Sequence, residues 1–175
     1  MGRPGATPAA EGAAPARAAP TRVIGVGNQW RGDDGAGPAV AHLLRARQGA
    51  AAAALQISAI DGGGLNLITA WAGATTVVLI DAVFSGAAPG SIHRFDVGAQ
   101  PLPEALFRHS THAFGIAEAV ELARALAQLP PRLVVYGIEG RQFDPGVGLS
   151  PAVELATRTL AEQLWQQLRM SSEAC

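Results

Sequence analysis

"VIGVGNQWRGDDGAG", Val23 to Gly37, decides how the chain is read. It opens as a buried strand, turns at Gly25 and Gly27, and leads into "GAGPAVAHLLRAR", whose apolar residues recur at helical spacing with Pro38 tolerable in a first turn. A strand, a glycine turn and a helix in that order commonly build a phosphate site from backbone amides. Here the turn carries Asp33 and Asp34 instead, and Trp30 stands at the third glycine position of a dinucleotide fingerprint. Two carboxylates repel an anion and favour a proton or a cation.

Three more apolar runs resemble the first. "LQISAI" ends at Asp61, "TTVVLI" at Asp81 and "RLVVYGI" at Glu139. Such unbroken runs suit parallel strands covered on both faces. A weaker strand, "GSIHRFDV", follows the turn "GAAPG" and is expected beside the third strand or at an edge. Between the runs lie the short helix "LNLITAWAG" and the amphipathic "AFGIAEAVELARALAQL", which sets Ile116, Val120, Ala123 and Ala127 on one face. Last comes "SPAVELATRTLAEQLWQQL", with Ser150 as N-cap and Pro151 in the first helical position. The expected fold is α/β: three layers, with a twisted, mostly parallel sheet of about five strands and helices on both faces. It forms a single domain over 22–168, flanked by an Ala/Pro-rich tail at 1–21 and a short tail at 169–175.

Composition narrows the function classes. The 175 residues carry a formal net charge of -1 and no basic stripe, which argues against a nucleic-acid binder. No apolar run is long enough to span a bilayer, and Pro, Gly, Glu and Arg interrupt the first 22 residues where a signal peptide needs an apolar stretch. Every basic residue is arginine, and the single cysteine, Cys175, ends the chain. A reducing cytoplasm is the expected compartment.

Ligands of open α/β sheets bind beyond the carboxyl ends of the strands. Those ends collect Asn28, Asp33, Asp34, Asp61, Asp81 and Glu139, while "HSTHAFG" delivers His109 and His112 ahead of the long helix. Each residue also has a structural reading. Asp33 can brace its turn, Asp61 can shape the "DGGG" loop, and Asn28 can serve as a turn residue. Trp30 can be core or can grip a peptide. His42 reads as a surface or partly buried helix residue, and His93 as solvent-facing. Two carboxylates with one imidazole form an N/O set for a borderline divalent metal, supplied by separated segments.

"GVGNQWRGDDGAGPAVA", "DGGG", "VVLIDAV", "STHAFG" and "GIEGRQFDPGVGLSPAV" together resemble the hydrogenase maturation endopeptidases, from Arg22 to about Leu168. The resemblance implies a soluble cytoplasmic enzyme with a nickel-dependent cut that removes a C-terminal extension from the large-subunit precursor of a nickel–iron hydrogenase. It places the metal contacts on Asp34, Asp81 and His112. The first of these is glutamate in some members, so the ligand here is one methylene shorter. Nickel is expected to arrive with the precursor, whose recognition falls to Asn28, Asp61, Gly62 and Gly63. Asp33, Asp61 and Glu139 remain open as the base that activates water. The protein is expected to act as a monomer, with a non-catalytic nickel-sensing chaperone as the alternative.

Overall fold

The computed structural model describes residues 20–48, 55–62, 64–103, 106 and 115–173. Strand β1 (Thr21–Val26) leads through a 3-10 turn (Gly32–Gly35) into helix α1 (Ala36–Gln48). Strand β2 (Leu55–Ile60), helix α2 (Leu65–Trp71) and strand β3 (Thr76–Val83) follow. The chain then forms β4 (Ile92–Asp96), helix α3 (Ile116–Ala125), β5 (Arg132–Glu139) and helix α4 (Pro151–Glu173). The strands make one five-stranded sheet in the order β2-β1-β3-β5-β4, parallel except for β4. This is the expected α/β fold, with the weak strand at the edge beside β5.

Alternation along the buried strands sorts their side chains into two cores. Ile24, Leu79 and Val135 pack under α2 and α3, and Val23, Ile80 and Tyr136 pack under α1 and α4. Helices therefore cover both faces, and α1 and α2 leave β1 and β2 on opposite sides of the sheet. The strand order reverses between β1 and β3, which opens a crevice at their carboxyl ends.

No side chain separates α1 from the sheet at that crevice. A Cβ on Gly37 would collide with the carbonyl oxygens of Val26 and Ile80, and one on Gly25 with the Gly37 carbonyl and the Pro38 nitrogen. Arginines tie the layers together from outside. Arg22 donates to the Ala70 carbonyl, Arg45 Nε to the Ile57 carbonyl (2.9 Å), and Arg124 Nη2 to the Val97 carbonyl (3.3 Å).

Four local expectations shift. β3 runs two residues beyond Asp81, because Asp81 and Val83 keep their register with Gly137 and Glu139. Ala127 lies past α3, exposed and at φ 53°, since the chain must turn before Pro130 and Pro131. Helix α4 continues to Glu173, five residues past Leu168. Ser150 holds the N-cap position, its carbonyl accepting the Glu154 amide (2.8 Å), but its hydroxyl donates to Asp33 and accepts no amide of α4 among the described residues. Among the described residues no helix is long and apolar enough to cross a membrane.

Gly37→Ala should destabilise the protein by about 3 kcal/mol, because backbone atoms have no alternative rotamer to offer. Gly148→Ala, where an added Cβ meets nothing within 4 Å, should stay within about 0.5 kcal/mol of the parent. Urea unfolding midpoints read both.

Candidate active site

The loop after β1 is held by its own polar atoms. Asn28 Oδ1 accepts the Trp30 amide (2.9 Å), closing a turn of the kind Asn favours. The Asn28 amide donates to Asp34 Oδ2 (2.9 Å), and Asn28 Nδ2 reaches Asp61 Oδ2 at 3.3 Å. One asparagine thus links the first loop to the end of β2.

The two adjacent aspartates have different surroundings. Asp33 is fully buried and accepts four hydrogen bonds. They come from the amides of Arg141 (2.8 Å), Gln142 (3.0 Å) and Ser150 (2.6 Å), and from Ser150 Oγ (2.9 Å). A carboxylate has about four acceptor positions, so this one is filled. Asp33 therefore braces the first loop against the segment between β5 and α4. Two backbone bonds reinforce the brace, from the Gly32 amide to the Val147 carbonyl (3.1 Å) and from the Asp33 amide to the Gln142 carbonyl (2.7 Å).

Asp34 and Asp81 face the β1–β3 crevice from its two sides, both buried. Asp81 Oδ1 accepts the Ala82 amide (2.9 Å). The second oxygen of each carboxylate accepts no hydrogen bond from the described residues. Burial, and then the charge of Asp34, hold the Asp81 carboxyl well above the usual carboxylate range; the Ala82 amide pulls the other way. Two buried carboxylates that repel one another, each with an oxygen to spare, are a donor set suited to a divalent cation. Among the described residues no group of three His, Cys, Asp or Glu gathers. His109, His112 and Gly63 lie outside the described residues.

Glu139, at the end of β5, is fully buried and engaged. It accepts the amides of Ser85 (2.7 Å) and Gly86 (2.9 Å) on Oε1 and the Ser85 hydroxyl (2.8 Å) on Oε2, fixing the loop after β3. His93 is not solvent-facing. It is half-buried on β4, with its buried Nε2 3.5 Å from Glu139 Oε2 and no hydrogen bond to a described residue. His42 is exposed on α1, and Trp30 is exposed rather than core. Asp61 is exposed beside Asn28, and Gly62, at φ 91°, is buried next to it.

The donors that fill Asp33 and Glu139 were not foreseen from sequence, since most are backbone amides and any residue but proline supplies one. Ser150 did carry a signal, a hydroxyl ahead of Pro151, but it read as a helix cap.

A family profile described as "Hydrogenase maturation protease" matches residues 38–167. The chain belongs to the hydrogenase maturation protease family. It is a peptidase, as the resemblance of its motifs implied. The hydrogenase 2 maturation protease of Escherichia coli is 29% identical over 154 residues, spanning 85% of this chain and 90% of that one. The solved structure of the hydrogenase maturating endopeptidase HybD of E. coli superposes with a TM-score of 0.70 at 25% identity, covering 87% of this chain and 93% of the other. The solution structure of an endopeptidase from E. coli gives 0.71 at 27% identity over the same shares.

Two outcomes check the division of labour in this protease. Asp33→Ala strands buried donors and should cost about 3 kcal/mol in urea unfolding, against about 1 kcal/mol for Asp34→Ala, which frees one amide. Asp81 behaves oppositely. In metal-free protein the folded chain keeps this proton to a higher pH than the unfolded chain does. Its effect is therefore least adverse below the unfolded value of about 3.9, and stability is lost as pH rises through the raised folded value. Asp81→Asn should raise Tm near neutral pH, with the gain shrinking toward pH ~4, as thermal scans across pH will show.

Proposed function

We propose that this protease removes a C-terminal extension from the precursor of a nickel–iron hydrogenase large subunit, after nickel has been inserted. The observation that carries the reading is the pair Asp34 and Asp81. A turn carboxylate and a strand carboxylate meet in one crevice, where burial and then the charge of Asp34 raise the proton affinity of Asp81. The similarity to a protease named for hydrogenase 2 supports the substrate class.

His112 is the proposed third ligand, and the topology favours it. Helix α3 leads into the first residue of β5, so its N-terminus lies toward the carboxyl ends of the parallel strands. It packs on the sheet face to which Asp81 belongs by alternation with Leu79 and Val83. His112 precedes Ile116 by four residues, a reach of up to about 14 Å.

A nickel ion held there supplies Lewis acidity for the scissile carbonyl or for a water. The chain's own part is positional. Asn28 fixes the rotamer of Asp34 through its amide and orients Asp61 through its side chain. Asp61 is the proposed base. It is exposed to solvent, whereas Asp33 and Glu139 are buried. A metal shared between enzyme and precursor adds binding energy only for a loaded precursor, so it discriminates by difference.

Intact-mass measurement tests the proposal. The protease should shorten nickel-loaded precursor and leave nickel-free precursor whole. Asp81→Asn and His112→Ala should each slow cleavage at least a hundredfold, at or beyond the upper end of the roughly 10–100-fold typical of outer-shell changes. Equal cutting of both precursor forms overturns the nickel checkpoint, and binding of loaded precursor without shortening identifies a chaperone.

A further inference from the structure

Seven large apolar side chains are exposed among the described residues, and their placement is uneven. Leu126 follows α3, and Leu155 and Met170 lie within α4, whereas Leu65 opens α2 directly after the loop that follows β2. Four of the seven, Leu65 among them, each follow the carboxyl end of a different parallel strand. Trp30 (71% exposed) follows β1, Leu65 (68%) β2, Phe84 (43%) β3 and Val147 (41%) β5. They stand at the rim that holds Asp34 and Asp81.

The positions are built rather than slack. The Trp30 amide donates to Asn28 Oδ1, and the Trp30 carbonyl accepts the Gly146 amide at 2.8 Å, so the indole is presented from a fixed backbone. The Val147 carbonyl accepts the Gly32 amide in the same pair of loops. Phe84 meets Phe143 edge to face, with centroids 6.3 Å apart, and the Phe143 carbonyl accepts Arg31 Nη2 at 3.4 Å. Tryptophan is among the residues that carry most of the energy of protein–protein interfaces, and Trp30 offers one from a fixed backbone.

We infer that Trp30, with Leu65, Phe84 and Val147, forms an apolar collar that docks the precursor polypeptide around the bond to be cut, Trp30 being its anchor. The occupant follows from position. The four side chains follow the same strand ends as the acidic pair, and Asn28 holds both the Trp30 amide and the Asp34 carboxylate, so whatever covers the indole also lies near the proposed cleavage site. A peptidase must hold polypeptide there. The partner chemistry is a stretch of the large-subunit precursor with apolar side chains flanking the scissile segment. This inference rests on the proposed function for the identity of the precursor.

Steady-state cleavage of nickel-loaded precursor by the full chain tests it, together with acrylamide quenching of tryptophan fluorescence. Trp30→Ala should raise KM about tenfold, the scale of losing one aromatic anchor, with kcat within about twofold. Trp30→Phe should recover most of the loss, and Val147→Ser should raise KM independently. Precursor should shield from acrylamide a component that is present in the parent and missing from Trp30→Phe. An unchanged KM for Trp30→Ala, or an unshielded Trp30 with precursor bound, overturns the collar. Shielding that grows with enzyme concentration alone assigns the surface to a second copy and also overturns it. If the parent cuts no precursor, the proposed function fails, while precursor-dependent shielding still reads the collar on its own.

Discussion

The contact on which the rest depends is backbone against backbone. Gly25 on β1 and Gly37 on α1 bring the start of the helix onto β1 and β3 with no side chain between them. That closeness seats the 3-10 turn over the crevice where the strand order reverses, and so brings a loop carboxylate and a strand carboxylate to the same place. A contact between side chains could relax by changing rotamer; two carbonyls and a helix turn cannot. The position of Asp34 relative to Asp81 is thus set by the sheet itself.

Asp33 and Asp34 show how little residue type says about role. They are neighbours in one short turn, both acidic and both buried. Asp33 is surrounded by donors that satisfy it and joins two loops. Asp34 is given one amide and placed beside another negative charge. The first arrangement lowers the energy of the fold, and the second opposes it by burying a carboxylate beside another. Glu139 repeats the first pattern on the far side of the crevice, where it fixes the loop after β3.

Much of the architecture was legible because buried parallel strands leave unbroken apolar runs, and four such runs placed β1, β2, β3 and β5 within a residue or two. Asp81 marks the limit. A polar residue after "TTVVLI" reads as a strand end, yet the ladder with β5 continues through it. Ala127 failed for another reason: helical periodicity says nothing about where a chain must turn for the prolines ahead. The convergence of Asp34 and Asp81 could be anticipated from the rule for strand ends. The filling of Asp33 could not, because its donors are amides more than a hundred residues away. His93 was misjudged similarly, since its partner Glu139 joins it only across a strand pairing.

The arginine-to-carbonyl ties across the layers have an electrochemical corollary. A guanidinium keeps its proton at any pH a protein survives, and a carbonyl has none to lose. Arg22, Arg45 and Arg124 therefore fasten helices and strands with bonds indifferent to acidity. The scaffold can hold its shape while the proton occupancy of the crevice changes, which leaves the acidic pair free to gain or lose a proton without loosening the frame around it.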